Sequence, residues 1–187
     1  MRIREAIESD AEAIAAAEYE TAARQEGLLN AAPHEIPVEA FRSRIRERRQ
    51  RGLYVVLEDE GALRGHLLLD PMGLKARSHV VTLTVVVHPG HTGRGLGRRL
   101  MTHAIEWAQA SPEFEKIELT VRSTNARAIR LYESLGFERE GIHRARVKLQ
   151  NGYADDISMA LFVRDEGGGI QFTSVSSTTT GRRLSRG

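Results

Sequence analysis

The hydrophobic and polar positions of this chain follow two different periods, which together predict a mixed α/β domain over residues 1–164. Apolar runs and two-residue alternation predict strands, whereas a period between three and four residues predicts amphipathic helices. The predicted strands cover residues 2–7, 53–57, 63–69, 81–87, 117–121, 137–149 and 157–163. The predicted helices cover residues 9–26, the segment 38–51, a segment that opens at the glycines 93–97, and residues 125–135.

Short cap and turn signals delimit several of these elements. Ser9 and Glu12 have the spacing of a capping box, and Gly27 predicts the end of the first helix. The segment Glu58–Gly61 predicts a hairpin between two apolar runs, and Asn151–Gly152 is the strongest short hairpin signal in the chain. Before that turn, three apolar residues alternate with three basic ones, as in a strand: Ala145, Val147 and Leu149 against Arg144, Arg146 and Lys148.

The segment from Val81 to Leu100 has the pattern of a strand, a turn and a helix, and the rest of the chain is arranged around it. Its first part, Val81–Val87, is mostly apolar and β-branched, the composition of a buried central strand. Pro89 and Gly90 then end the strand. The apolar stripe of the helix that follows consists of Leu96, Leu100, Ala104 and Ala108.

Three glycines, Gly93, Gly95 and Gly97, open this helix and predict an anion-binding site. The first N–H groups of a helix have no intrahelical acceptor, and the helix dipole places partial positive charge beside them. Glycines allow a phosphate to approach that backbone without meeting a Cβ atom. Further positive charge comes from Arg94, Arg98 and Arg99. The segment is therefore suited to a pyrophosphate, and the alternative is a flexible turn.

Three phosphate-binding motifs compete for this segment. A P-loop needs Lys followed by Ser or Thr after its last glycine, where this chain has Arg98 and Arg99. A dinucleotide-binding fingerprint needs Gly-x-Gly-x-x-Gly, and the spacing here is Gly-x-Gly-x-Gly. The third motif, Arg/Gln-x-x-Gly-x-Gly/Ala between a strand and a helix, fits Thr92–Gly97 except at Thr92.

The composition narrows the class of protein. With 41% hydrophobic and 28% charged residues in 187, the chain has the composition of one globular domain. It has no cysteine, so disulfides, a thiolate nucleophile and cysteine metal ligands are excluded, and no metal site is expected. No apolar run approaches the ~20 residues of a membrane span, so a cytoplasmic protein without membrane contact is expected.

The net charge of +2 is small, but arginines cluster in the second helix. They are Arg42, Arg44, Arg46, Arg48, Arg49 and Arg51. A solvated helix face is favoured over a nucleic-acid surface because Glu39 and Glu47 lie among them. Residues 165–187, rich in Gly, Ser, Thr and Arg, are predicted to form a tail outside the core. Its segment Ile170–Val175 could pair with a neighbouring sheet edge, which leaves a homodimer open.

A second motif lies downstream, in residues 121–137. From Asn125 to Phe137 the sequence matches Asn-x-x-Ala-x-x-Leu-Tyr-x-x-x-Gly-Phe, and it follows Thr92–Gly97 at the expected separation. On these motifs the chain resembles the GCN5-related N-acetyltransferases (the GNAT family) over residues 1–164. The resemblance is closest to the bacterial ribosomal-protein-alanine acetyltransferases. It implies the GNAT fold, an α/β (α+β) architecture in which helices flank a mostly antiparallel sheet with splayed central strands.

The resemblance implies acetyl-CoA as co-substrate and gives each part of its site to a segment. The backbone groups of the central strand would pair with the pantetheine amides at Val85, Val86 and Val87. The loop would bind the pyrophosphate through Thr92, Gly93, Arg94, Gly95, Leu96, Gly97 and Arg98. Asn125 would hydrogen-bond to the pantetheine arm. Tyr132 would lie beside the sulfur and protonate the leaving thiolate, and its alternative role is that of a core aromatic residue.

The resemblance leaves the general base open. The glutamate base of the ribosomal-protein-alanine acetyltransferases corresponds to Thr120, and the bases of other members correspond to Val81 and Leu83. None of these three side chains accepts a proton at pH 7. Because alternate residues of a strand share a face, Glu118 is the substitute for Thr120, and His79 is the substitute on the central strand. A relay through water is the third option.

These inferences predict an N-acetyltransferase that acts on a primary amine of a small molecule or a peptide N-terminus, by direct attack in a ternary complex. The alternative is an acyl-CoA-binding module without turnover, a sensor or degenerate homologue, because the usual bases are missing. The loop 30–37 and the hairpin 150–156 would form the acceptor pocket. There, Asp155 and Asp156 either recognise a cationic amine or are solvated edge charges.

Overall fold

The computed structural model describes residues 1–24, 35 and 37–164, and its elements follow the predicted order. The strands in these residues are β1 (Arg2–Glu5), β2 (Leu53–Asp59), β3 (Ala62–Pro71), β4 (Val80–Val87), β5 (Lys116–Arg122), β6 (Glu138–Leu149) and β7 (Gly152–Phe162). The helices are α1 (Ala11–Arg24), α2 (Val38–Arg51), α3 (Leu96–Ala110) and α4 (Ala126–Glu133). The strands and helices predicted from periodicity are confirmed with small shifts at their ends, except that β7 begins at Gly152 rather than at the predicted Ile157.

Several predictions fall on residues that the structure does not describe. The end of the first helix at Gly27, most of the loop 30–37 and the tail 165–187 lie outside the described residues. The strand proposed for Ile170–Val175 lies there too. Within residues 1–24 and 37–164, none of the helices combines the length and apolar character needed to cross a membrane.

The strands form one seven-stranded sheet in the order β1-β2-β3-β4-β5-β7-β6. Every neighbouring pair is antiparallel except β4 and β5, which are parallel. These two strands pair only over Val80–Thr82 and Lys116–Glu118, and beyond those residues their registered pairing stops. The predicted splay of the central strands is confirmed, and it leaves a cleft in the middle of the sheet.

Helices cover the sheet on both faces and divide the core in two. On one face, α3 buries its predicted stripe of Leu96, Leu100, Ala104 and Ala108 against β4 residues such as Val81 and Leu83. Burial of a leucine side chain of this kind contributes about 1.5–3 kcal/mol. On the other face, Ile14 of α1 and Phe41 of α2 pack on Tyr54 of β2. We call these the α3 face and the α1 face.

The start of α1 differs from the predicted capping box at Ser9 and Glu12. A short 3₁₀ turn over Glu8–Asp10 precedes the helix, so the capping carboxylate is that of Asp10, which accepts a hydrogen bond from the Ile7 N–H at 2.9 Å. Arg4 of β1 donates two further bonds to the same carboxylate, at 2.7 and 2.9 Å. The prediction was wrong because a tertiary ion pair selects Asp10 over the local sequence pattern.

Strand β6 is an edge strand with an irregular course. Its register with β7 shifts between Arg139 and Gly141 and again between His143 and Val147. Ala145 lies in the second irregularity with a φ of +49°, and its N–H donates to the Asp155 carboxylate at 2.7 Å. The alternation in the sequence therefore does not continue through the strand as two regular faces.

Candidate active site

The cleft between β4 and β5 exposes one edge of β4. On the opposite edge, the N–H of His88 donates to the Arg64 carbonyl at 3.0 Å, and that of Met72 donates to the Val80 carbonyl at 3.1 Å. The N–H and C=O groups of successive residues in a strand point to opposite edges. Every second residue from Val80 to His88 therefore directs these groups to β3. Val86 belongs to that set. Val85 and Val87 instead direct their N–H and C=O groups into the cleft.

The glycine-rich loop lies at the open end of this cleft, directly after β4. Gly93 and Gly95 have φ values of +88° and +76°, a conformation that costs little only for glycine. The first backbone bond into α3 is from the Arg99 N–H to the Gly95 carbonyl at 3.1 Å. Residues 96–98 thus present N–H groups that no backbone acceptor of the described chain satisfies, as an anion site requires.

Helix α4 brings a cation to this loop that the sequence analysis missed. A Cβ atom on Gly93 would lie 3.6 Å from Nη2 of Arg127, so the guanidinium borders the loop. Arg127 has no ion pair with any described residue. Its position two residues after Asn125, in the first turn of α4, was the available signal. Thr92 occupies the position at which this motif usually has Arg or Gln, and it is exposed on the same loop.

Of the predicted basic residues, Arg94 is exposed beside the loop, and Arg98 donates from Nη2 to the Ser134 hydroxyl at 2.6 Å. This bond ties the first turn of α3 to the end of α4. Gly97 allows α3 to lie close to α4 and β4, because a Cβ there would lie 3.2 Å from Cδ2 of Leu131 and 3.6 Å from Cγ2 of Val87. The end of β4, the start of α3 and α4 therefore meet at one place.

Asn125 and Tyr132 are placed by α4. The Asn125 side-chain oxygen accepts from the Ala128 N–H at 3.1 Å and caps the helix. Its side-chain NH₂ has no partner among the described residues. Tyr132 is 8% exposed and packs on Phe137 with ring centroids 6.0 Å apart. Burial raises the pKa of Tyr132 to about 12, so the phenol keeps its proton at neutral pH.

The two candidate bases lie near the closed end of the cleft. Glu118 is the last residue of β5 that pairs with β4, where it lies opposite Thr82. Its carboxylate accepts a hydrogen bond from the Lys116 ammonium at 2.8 Å. His79 precedes β4, and its carbonyl accepts the N–H groups of Glu115 and Lys116. His79 and Glu118 both line a cavity of about 350 Å³. At about 3.3 Å per residue, His79 is roughly 20 Å along the chain from Val85.

The positions that other bases would occupy have the predicted character. Val81 is fully buried and Leu83 is 7% exposed, both in the core on the α3 face. Thr120 is exposed on the opposite face, since it shares its side of β5 with Glu118.

Asp155 and Asp156 both have structural partners. The Asp155 carboxylate binds the Ala145 N–H in the β6 irregularity. Asp156 is 3% exposed and pairs with buried Arg122, and the Arg146 Nε lies 3.6 Å from its other oxygen. The interpretation as solvated edge charges is wrong for Asp156, because cross-strand pairing in β5–β7 buries it. Both carboxylates therefore already have partners within the protein.

The arginines of α2 largely serve the fold. Arg42 pairs with Glu12 at 2.9 Å, Arg46 with Glu8 at 2.9 Å and Arg48 with Asp70 at 2.9 Å. Their partners lie on α1, on the turn before it and on β3, so this charge is compensated within the chain. That supports the interpretation as a solvated helix face.

Comparison with known proteins places these features in a family. The family model described as the acetyltransferase (GNAT) family matches residues 13–137. The chain is 37% identical over 102 residues to the L-amino acid N-acetyltransferase AaaT of Escherichia coli K12, covering 54% of this chain and 62% of that enzyme. It is 42% identical over 77 residues to the ribosomal protein bS18-alanine N-acetyltransferase of Salmonella typhimurium, covering 41% of this chain and 51% of that enzyme. The matches thus span about half to three-fifths of these relatives.

The fold is also that of a solved acetyltransferase. The phosphinothricin acetyltransferase of Sinorhizobium meliloti, crystallised with acetyl-CoA, superposes with a TM-score of 0.81. The alignment covers 95% of this chain and 96% of that one at 19% identity. At that identity the likeness concerns the architecture alone.

Proposed function

Because the family model matches residues 13–137, the chain belongs to the GNAT acetyltransferase family, and we propose that it transfers the acetyl group of acetyl-CoA to a primary amine. The observation that carries this proposal is the continuity of two unpaired backbone surfaces. The open edge of β4 at Val85 and Val87 leads directly to the free N–H groups at the start of α3. One surface suits the amides of a pantetheine arm, and the other suits a pyrophosphate.

The described residues suit the pyrophosphate and the pantetheine arm of acetyl-CoA. The N–H groups of residues 93–98 would bind the pyrophosphate, with Arg127 supplying the charge that Thr92 lacks. Val85 and Val87 would pair with the arm, whereas the polar groups of Val86 are directed to β3. The free NH₂ of Asn125 would donate to the arm. When bound, acetyl-CoA supplies an activated thioester.

The chemistry proposed for the chain concerns protons. The Tyr132 phenol is protonated at neutral pH and would donate its proton to the departing thiolate. A backbone N–H of β4 would stabilise the developing oxyanion. Of the two predicted bases, Glu118 shares a face with Thr120 at the cleft, and His79 lies at the far end of β4. Glu118 is therefore the better placed of the two.

The proposed acceptor is an amino acid, another small amine or a peptide N-terminus, and the proposed location is the cytoplasm. The support for the acceptor is the pair of relatives, one named for L-amino acids and one for a ribosomal-protein alanine.

The test is acetyl-CoA-dependent release of free thiol with a panel of amino acids, polyamines, small amines and peptide N-termini. We expect one acceptor class to give turnover well above the acetyl-CoA hydrolysis rate. By mass spectrometry its product should be about 42 Da heavier than the acceptor, as expected for one added acetyl group. Tight acetyl-CoA binding without turnover on any acceptor would instead support the non-catalytic acyl-CoA-binding module.

A further inference from the structure

Three side chains from separate elements form a hydrogen-bonded chain beneath α1. The Glu18 carboxylate of α1 lies 3.0 Å from Nε2 of His66 on β3. Nδ1 of His66 lies 3.0 Å from Nε2 of His88, which follows β4. Nδ1 of His88 lies 3.0 Å from the Leu63 carbonyl. His66 is 1% exposed and His88 is 6% exposed, so both imidazoles of this polar chain, which we call the Glu18 relay, are shielded from water.

The proton positions in the Glu18 relay follow from its last acceptor. The Leu63 carbonyl can only accept, so Nδ1 of His88 carries a proton. Burial, reinforced by the charge of His66, lowers the pKa of His88 to about 4, so its Nε2 is an unprotonated acceptor at neutral pH. His66 therefore donates from Nδ1 to His88, and the contact of its Nε2 with the Glu18 carboxylate holds that side chain in place.

The relay holds Glu18 on the face of the sheet that a cofactor would leave free. The pyrophosphate loop belongs to α3, so an incoming amine must reach the cleft from the α1 face. His66 is the registered partner of Val86 on β4, and the cleft begins at the other edge of β4. Because neighbouring strands lie about 4.8 Å apart, His66, to which Glu18 is bonded, lies one strand spacing from β4.

Glu18 keeps one oxygen for a ligand. His66 uses Oε1, and Oε2 has no partner among the described residues. The side chain is 14% exposed, so water or an amine can reach it. The other ionisable groups that act on the relay are Tyr54 on β2, whose pKa is raised by burial, Arg44 on α2, which acts on Tyr54 at longer range, and Arg64 and His91, which help to lower the pKa of His88. No other carboxylate of the described chain contacts His66 or His88.

We propose that the Glu18 carboxylate binds the ammonium group of the acceptor and takes the first proton from it, with His66 and His88 as positioning residues. This inference rests on the proposed acetyl transfer and assigns its base to Glu18 in place of Glu118 and His79. The ammonium N–H bond breaks and its proton moves to Glu18 and then to water. The freed lone pair forms the new N–C bond as the C–S bond breaks. The nitrogen releases its second proton to water, and the thiolate takes one from Tyr132, which water reprotonates.

The main test compares Glu18→Gln with Glu12→Gln, a control on the exposed side of the same helix. For Glu18→Gln we expect kcat/KM for the amine to fall by about 10²–10⁴ at pH 7, with recovery near pH 10, where the amine loses its proton unaided. The dissociation constant for acetyl-CoA stays unchanged in both variants. Glu12→Gln keeps parental turnover, since an exposed ion pair contributes little.

His88 provides the test of positioning. His88→Gln keeps an amide oxygen that accepts from His66 and an amide NH₂ that donates to Leu63, whereas His88→Leu keeps neither. We expect His88→Leu to lower kcat and shift the pH–rate profile, and His88→Gln to restore most of both at unchanged acetyl-CoA affinity. If His88→Leu does not fold, His66→Asn takes its place. A parental pH–rate profile in His88→Gln together with a changed profile in His66→Asn then supports the positioning role.

The outcomes separate this inference from the proposed function. Full turnover by Glu18→Gln at pH 7 overturns the role of Glu18 and leaves acetyl transfer standing. Equal losses in both His88 variants overturn the positioning role alone. A wild-type protein that binds acetyl-CoA but acetylates no amine in the panel overturns both.

Discussion

Replacement of Gly95 by valine separates cofactor binding from folding. Gly95 is the N-terminal cap of α3 with φ +76°, and a Cβ there meets no atom within 4 Å. The substitution therefore costs only backbone strain, about 1–2 kcal/mol, but it places a branched side chain over the free N–H groups. The control is Gly61→Val in the β2–β3 hairpin, where φ is +77° and the space is equally open.

The assay is thermal unfolding with and without acetyl-CoA. At 100 times the dissociation constant, a ligand of the native state adds ~2.7 kcal/mol, which corresponds to a rise in Tm of about 5–10 °C for a domain of this size. Both variants should lose a similar few degrees without ligand. With acetyl-CoA, Gly61→Val should show the parental rise and Gly95→Val almost none. A parental rise in folded Gly95→Val would refute the assignment of the pyrophosphate to this loop.

Three further predictions follow from the site. Tyr132→Phe keeps the buried ring and should lower turnover by about 10²–10⁴ at unchanged acetyl-CoA affinity; parental turnover would make Tyr132 a packing residue only. Arg127→Gln should raise the KM for acetyl-CoA by about 10–100-fold, the value of a charge-assisted bond, whereas exposed Arg130→Gln on the same helix should not; equal KM values would remove Arg127 from the site. The pKa of His88 is lowered from 6.5 to about 4, so between these pH values the unfolded state binds more protons than the native state. The free energy of unfolding should therefore keep its full value above pH 6.5 and fall by about 2–3 kcal/mol towards pH 4. Urea unfolding at pH 7 and 4 checks this, and an undiminished pH dependence in His88→Gln would contradict it.

Local sequence patterns were sufficient for most of the fold. The stripe from Leu96 to Ala108 and the apolar run in β4 each have a single period, and burial follows from period alone. The glycine pattern also indicated the free start of α3, because unpaired N–H groups at a helix start are a local property. The cap of α1 was not predictable in this way, since Arg4 selects Asp10 through a tertiary contact.

The candidate site was predictable only where its chemistry lies in the backbone. Strand order determines that Val85 and Val87, but not Val86, face the cleft, and no sequence pattern reveals which edge is open. Arg127 reaches Gly93 only through the packing of α4 on α3. Glu18, His66 and His88 are separated by tens of residues and meet through the α1–sheet contact, so a search along strands for the base could not find them.

The irregular edge strand β6 has a consequence for how this protein can change over generations. Among residues 138–149 only Val147 and Leu149 are even half-buried, and the rest are exposed. Substitutions there cost little folding free energy, because surface changes usually fall within about 0.5 kcal/mol. In the glycine-rich loop, by contrast, Gly93 and Gly95 have positive φ values that few other residues adopt without strain. Single substitutions can therefore accumulate along β6 at little cost to stability, whereas the glycine-rich loop tolerates few of them.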